Sequence, residues 1–252
     1  MKIVIAGAGE VGTHLAKMLS QENQDIILMD PNEERLKFTN NMEVLAMVGN
    51  PTSLKDLQES GIKDADLFIS VTPEEPTNIT ACMLAHSLGA HKTLARINNY
   101  EYLQPKNIEF FQKLGISSMI YPEMLAAREI VTAVQRPWAR QYWELFGGAL
   151  ILIGVKVRDN APIVNKRLTD LSLDQKLYHI VAIKRGNETI IPRGSDVIKL
   201  HDIVYFTTTR KYIPYIRKIA GKEDYADVRN VMIMGGGRIA VRTAQYVPDY
   251  MQ

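Results

Sequence analysis

Cysteine is nearly absent from this chain of 252 residues: Cys82 stands alone, so no internal disulfide can form and a reducing compartment suits the composition. Long apolar runs are missing as well. The longest, around residues 149–153, is strand-sized, well short of the ~18 residues that span a membrane. Met1-Lys2 leads straight into a strand-like run, so no secretory leader is expected. One cysteine and five dispersed histidines offer no metal-ligand spacing. The formal net charge is only +2, but residues 1–136 carry a balance of −5 and residues 137–252 one of +7. The basic residues of the second half come singly or in pairs, such as Lys166-Arg167 and Arg217-Lys218. Without aromatic interleaving, zinc-finger spacing or a helix-turn-helix pattern, they read as a solvated face and argue against a nucleic-acid partner. Cys82 falls in a helical pattern, 78–85, and reads as a small buried hydrophobe.

What is present is concentrated in the first thirty residues. The apolar run Ile3-Val4-Ile5-Ala6 enters Gly7-Ala8-Gly9-Glu10-Val11-Gly12, continues as a helix-like segment and reaches Asp30 at the end of a second apolar run. Gly7 permits a tight turn out of the strand, Gly9 lets a phosphate approach bare backbone, and Gly12 lets the helix pack close to the sheet. The helix start offers free N–H groups to an anion. Asp30 stands where a carboxylate bonds ribose hydroxyls and repels a 2′-phosphate. Strand, glycine turn, helix and acid agree, and together they predict adenine-nucleotide binding.

Strand-like runs recur at 2–6, 26–30, 44–48, 67–71, 93–97 and 117–121, with helical patterns near 10–20, 32–40, 53–60, 77–88 and 105–114. This alternation predicts an α/β, doubly wound parallel-sheet Rossmann domain over residues 1–121. A longer helix from Pro122 to about Gln135, ended by Arg136-Pro137, opens a connecting helix and aromatic linker over 122–148 that includes Trp138, Tyr142, Trp143 and Phe146. Residues 149–221 predict a small α+β domain, with strands at 149–157, 179–185, 189–191 and 203–208, a short helix near 167–173 and a last one near 210–219. The opening then repeats: Asn230-Val231-Met232-Ile233-Met234-Gly235-Gly236-Gly237-Arg238-Ile239-Ala240 mirrors residues 2–12, with Ala240 at the last position. Residues 229–252 therefore read as the first strand and helix of a second Rossmann repeat. One strand and one helix bury too little to fold alone, so the natural chain is expected to continue.

The Gly7–Gly12 turn, Asp30, Gly49-Asn50-Pro51-Thr52, Val71-Thr72, Thr77-Asn78 and Ala95-Arg96-Ile97 resemble an RCK (KTN) domain. Pro192-Arg193-Gly194-Ser195 and His201-Asp202-Ile203-Val204 resemble its C-terminal subdomain. Two units in tandem are similar to the cytosolic regulatory subunits of Trk-type potassium uptake systems. The resemblance implies a peripheral protein at the inner face of the cell membrane, assembling through dimers into a ring under a potassium-transporting membrane subunit and sensing NAD(H), with ATP or ADP as alternatives. It implies that Gly7, Ala8, Gly9, Glu10 and Val11 hold the diphosphate and Asp30 the ribose. Thr72 and Pro73 then line the crevice, Arg96 reaches the phosphates or the distal part of the ligand, and Gly49 and Asn50 lie at the turn after the third strand. The family usually carries an acid where this chain has Asn50. Removing Asp30 or Arg96 is expected to weaken nucleotide binding with the fold intact.

The rival reading is an NAD-dependent oxidoreductase. Such an enzyme needs a proton donor or acceptor at the nicotinamide, and none of His14, His86, His91, His179 and His201 is paired in sequence with a carboxylate in a recognisable catalytic arrangement. A regulator rather than an enzyme is therefore expected, with no catalytic and no metal-binding residues.

Overall fold

Strands that are apolar on both faces need cover on both, and the first half of the chain supplies it. The computed structural model describes residues 1–39, 42–174 and 177–251, and it divides into two compact units, Met1–Pro122 and Glu123–Gln252. In the first, β1 (Lys2–Ala6), β2 (Asp25–Asp30), β3 (Leu45–Val48), β4 (Leu67–Ser70), β5 (Lys92–Arg96) and β6 (Ser118–Ile120) form one parallel sheet in the order β3-β2-β1-β4-β5-β6. Helices α1 (Glu10–Ser20), α2 (Glu33–Leu36), α3 (Leu54–Glu59), α4 (Glu75–Ser87) and α5 (Pro105–Lys113) connect them.

The period-2 alternation of β1 shows the double winding. Ile3 and Ile5 point into a core with Ala16 of α1, Leu28 and Ile69. Val4 and Ala6 point to the opposite core with Phe68, Leu57 and Ala81, Cys82 and Ala85 of α4. Cys82 is fully buried, and burial pushes its thiol up to about 12, the inert state expected of a packing residue. Caps fall where the sequence placed them: the side chain of Asn32 accepts from the Glu34 amide at 3.0 Å and that of Ser53 from the Asp56 amide at 3.3 Å. The helix expected over 32–40 is shorter, four α-helical residues followed by a 3₁₀ turn at Lys37–Thr39, and residue 40 lies outside the described residues.

The second unit opens with α6 (Pro122–Gln135) and holds an antiparallel sheet of β7 (Gln141–Leu145), β8 (Leu150–Lys156), β9 (Tyr178–Arg185), β10 (Glu188–Ile190) and β11 (Ile203–Thr208), ordered β10-β9-β11-β8-β7. Its core joins Ile151, Ile153 and Val155 of β8 to Ile183, Phe206 and Trp138. Residues 175–176 of the small domain lie outside the described residues. The short helix expected near 167–173 is a 3₁₀ segment, Leu168–Asp174.

Two expectations need correction. The aromatic stretch read as linker contributes β7, which pairs Tyr142 with Ile153 and Trp143 with Leu152 at the sheet edge. Tyr142 packs against the core while Trp143 is largely exposed, and a one-sided edge strand lacks the apolar run that marks buried strands. The first strand of the second repeat is not formed: residues 230–234 have no strand assignment, and Met232 and Met234 are about nine-tenths exposed. A parallel strand needs a neighbour to satisfy its amides, and none meets this segment among the described residues. The helix does form, as α8 (Arg238–Tyr246), and the Tyr246 hydroxyl donates to Met124 Sδ of α6 at 3.3 Å.

The small domain closes with α7 (Ile213–Ile219), ended by Gly221 at φ +68°. The Gly221 amide donates to Lys218 O at 3.0 Å and the Lys222 amide to Arg217 O at 2.9 Å, the paired bonds of a Schellman ending, whose last position commonly holds an apolar residue. Here it holds a lysine only 3% exposed, whose ammonium lies 4.9 Å from the centre of the Tyr225 ring. Burial first, then the charges of Arg158, Arg140 and Lys156, lower its pKa from 10.5 to about 8. The folded state therefore disfavours the charged form. That cost is present in full below the folded pKa and is relieved as pH rises from about 8 towards 10.5. Lys222→Met is expected to stabilise the protein at pH 7 by about 1 kcal/mol, the relief of burial offsetting the lost ring contact, with the gain fading above pH 10. Denaturant melts across that range check it; a destabilised variant at pH 7 would contradict it.

Candidate functional site

In an open parallel sheet, ligands bind outside the carboxyl ends of the strands where strand order reverses. Here that point lies between β1 and β4, adjacent in the sheet and leading to helices on opposite faces. A cleft of about 370 Å³ opens there, bordered by Gly7 and Gly9 of the glycine turn, Asp30 and Pro31 after β2, Asn50 and Pro51 after β3, and Thr72, Pro73, Glu74 and Thr77 after β4.

The glycines divide their work by geometry. Gly7 adopts φ +104°, and a Cβ there would lie 3.0 Å from the Thr72 nitrogen, so the β1 turn rests on the backbone that follows β4. A Cβ on Gly12 would stand 1.8 Å from Gly7 O; only glycine lets α1 start this close to its own strand. Gly9 has nothing within 4 Å of its missing Cβ, which leaves the open side of the turn to a ligand. The first bond of α1 runs from the Thr13 amide to Gly9 O at 2.9 Å, so the amides of Glu10, Val11 and Gly12 belong to the turn that lacks helical acceptors and carries the positive end of the helix dipole.

Asp30 is 2% exposed. Its Oδ2 accepts from the Ala8 amide and its Oδ1 from the Asn32 amide, both at 2.8 Å. The carboxylate thus ties the glycine turn to the start of α2, and the Ala8 amide is already engaged by it. Arg35 of α2 brings its guanidinium to 3.6 Å from Asp30 Oδ2, is half exposed, and lines the cleft. Sequence reasoning missed Arg35 and also Glu74 and Thr77. The position of Arg35 in the single turn of α2 was a usable sign, since the helix that follows an acid-tipped β2 runs beside the cleft.

Of the remaining expected residues, Asn50 accepts from the Thr52 amide at 2.9 Å and hydroxyl at 2.8 Å, and its own amide donates to Asp56 Oδ2 at 2.7 Å. The Asp56 carboxylate thus approaches this turn from α3. Gly49 lies against the same side chain, 3.3 Å from its Cβ position to Asp56 Cβ. Arg96 ends β5, the strand beyond β4, and is not among the residues that border the cleft. Among the described residues no histidine, lysine, tyrosine or cysteine borders it, while the carboxylates of Asp30 and Glu74 do. A second concavity, about 280 Å³ beside Leu168, Tyr178, His179 and Arg193 of the small domain, had no counterpart in the sequence reading. Among the described residues no cluster of side chains suits a metal ion, and no helix is long and apolar enough to cross a membrane.

Comparison with known proteins matches residues 3–122 to the TrkA-N domain and residues 152–221 to the TrkA-C domain. The chain is similar to the Trk system potassium uptake protein TrkA of Halomonas elongata, 34% identical over 98% of this chain and 55% of the relative. It is 31% identical to the Trk system potassium uptake protein TrkA homolog of Archaeoglobus fulgidus, over 100% of this chain and 56% of that one. The chain spans about half the length of the curated relatives it matches. Among solved structures, the GsuK channel superposes with a TM-score of 0.66 at 17% identity, over 98% of this chain and 44% of that chain. The GsuK channel bound to NAD does so with a TM-score of 0.65 at 16% identity and the same coverage. At that identity the likeness is one of fold.

Proposed function

As this chain belongs to the TrkA family, carrying a TrkA-N domain followed by a TrkA-C domain, we propose that it is a nucleotide-sensing regulatory part of a potassium uptake system and performs no turnover of its own. The observation that carries the reading is the cleft at the β1/β4 reversal, with its open glycine turn and the buried acid beside it.

The ligand enters through its ADP half. Its diphosphate faces Gly9 and the Glu10 and Val11 amides, where the helix dipole favours negative charge. Its ribose hydroxyls reach the lone pairs of Asp30 left over from the two backbone amides. Arg35 and Asn50 flank the adenosine, Thr72 and Pro73 form the opposite wall, and Arg96 serves the distal end. The cleft volume is at the small end of the range for ligand sites, about 300–1,000 Å³, which suits the part common to NAD(H), ADP and ATP. NAD(H) is favoured, since a related channel has been solved with NAD bound.

Regulation requires two conformations that bind the nucleotide unequally, and linkage of this kind is typically about 1–3 kcal/mol. The readout is a potassium-transporting membrane subunit at the inner face of the membrane, beneath which the cytoplasmic protein assembles through dimers into a ring. Helix α6 suits such assembly: Met124, Ala127 and Val131 are buried, while Leu125 and Ile130 on its other side are exposed.

Calorimetric titration of the purified chain with NAD, NADH, ADP and ATP, with an absorbance assay for hydride transfer run alongside, tests the proposal. Binding of at least one nucleotide at about 1–100 µM without turnover is expected. Hydride transfer to a carbonyl substrate, or failure of all four to bind, would overturn it.

A further inference from the structure

Asn78 lies one turn into α4, is 1% exposed and does not border the cleft. Its carboxamide nevertheless makes five hydrogen bonds. Oδ1 accepts from the Ser70 hydroxyl at 2.9 Å, the Thr72 amide at 2.9 Å and the Thr72 hydroxyl at 2.7 Å. Nδ2 donates to Thr72 O and to Arg96 O, each at 2.9 Å. One planar group thus closes the end of β4, the turn after it and the end of β5.

Its connections run in both directions. Thr72 is the backbone on which Gly7 rests, at 3.0 Å from the Gly7 Cβ position, so the acceptor side of Asn78 supports the floor of the glycine turn. The donor side fixes the carbonyl of Arg96. One turn earlier on α4, Glu75 Oε2 accepts from the Asn98 and Asn99 amides at 2.5 and 2.7 Å, fixing the loop that follows. Only a carboxamide of this length presents two donors and an acceptor in one plane; aspartate has no donors and glutamine is one methylene longer. Satisfied buried networks of this kind are rigid, and they switch between discrete arrangements rather than bend.

Resting on the nucleotide-sensing reading above, we propose that Asn78 is the positioning residue of the cleft and the link by which occupancy beside Gly7 and Thr72 is transmitted to the Arg96 end of β5. It touches no ligand. It holds two strand ends in the register the ligand requires, and a ligand that presses on one displaces the other through it.

The test uses ADP, hydrogen exchange and two variants. In the wild-type chain ADP is expected to slow amide exchange both at residues 72–77 and at residues 96–99. Asn78→Asp turns both donors into acceptors facing two carbonyls and is expected to lower ADP affinity by about 30-fold or more. Ser70→Ala removes one donor to Oδ1 without touching the cleft; it is expected to lower affinity by about 3-fold and to shrink the ADP-dependent protection at 96–99 more than that at 72–77. A role in folding alone would move the melting temperature and leave the ratio of the two protections unchanged. Should Asn78→Asp fail to fold, Ser70→Ala decides. Wild-type affinity with both protections retained in the variants overturns the inference and leaves the nucleotide reading standing. Failure of the wild type to bind any of NAD, NADH, ADP and ATP overturns the reading and the inference with it; binding of another nucleotide but not ADP moves the same exchange test to that nucleotide.

Discussion

Gly12→Ala is expected to cost the first unit about 3 kcal/mol or more and to lower its melting temperature by about 6–12 °C. The added methyl would sit 1.8 Å from Gly7 O and 3.0 Å from Gly7 C, both backbone atoms with no rotamer to turn aside. Either α1 is pushed off the sheet, opening the core around Ala16, or the glycine turn moves and takes Thr72 with it. Both outcomes displace the helix-start amides from the cleft, so nucleotide affinity is expected to fall at least tenfold together with stability. Gly9→Ala is the control. Its methyl would meet nothing within 4 Å, and the backbone there has φ −76°, which any residue adopts. Melting should stay within about 1 °C of wild type, while affinity falls because the methyl occupies the approach of the phosphate. Calorimetric melts and titrations of the two variants check the pair. Equal stability of Gly12→Ala and wild type would contradict the packing argument, and unchanged affinity of Gly9→Ala would contradict the position of the phosphate.

The second large effect is expected at Asp30. Asp30→Ala leaves the Ala8 and Asn32 amides without their acceptor at a site that is 2% exposed, and it strips the guanidinium of Arg35 of its neighbouring charge. Two unsatisfied buried donors cost about 2–4 kcal/mol, and the glycine turn loses the bond that orients it, so nucleotide binding is expected to drop by about 30-fold or more. Asp30→Asn keeps the shape and one acceptor but turns an NH₂ towards one of the two amides, and both losses should be roughly half as large in free energy. Sequence reasoning alone expected the fold to tolerate the loss of Asp30, because it saw only the ribose contact. The structure adds a second duty, accepting from the Ala8 amide of the glycine turn and from the Asn32 amide. Thermal melts and titrations of both variants separate the duties: a fully stable Asp30→Ala that fails to bind would restore the simpler view.

What was legible in the sequence follows from which interactions are local. Six parallel strands, their order along the chain and the helices between them were legible, because apolar runs of strand length and caps such as Asn32 and Ser53 act within a few residues. The glycine turn and Asp30 were legible for the same reason: positive φ at Gly7 and an acid at a strand tip are properties of the chain itself. Strand β7 was not, because its exposed face broke the run and only pairing with β8 makes it a strand. Residues 230–234 repeat the opening motif in sequence, and Gly235 even repeats its backbone angle, φ +103° against +104° at Gly7. Without neighbours they make no strand among the described residues.

The sequence by itself determined the doubly wound first domain, the glycine turn and the acid beside it, since each depends on residue type and spacing along one stretch of chain. Only the tertiary structure decided that Arg35 and Thr77 border the cleft, that Asp30 caps the turn and that Asn78 joins two strand ends. Those roles require residues 22, 5 and 18 positions apart, Ala8 with Asp30, Asp30 with Arg35 and Asn78 with Arg96, to meet in space. The sheet brings them together when β1, β2, β4 and β5 align in parallel, because backbone hydrogen bonding between strands fixes which carboxyl ends lie side by side.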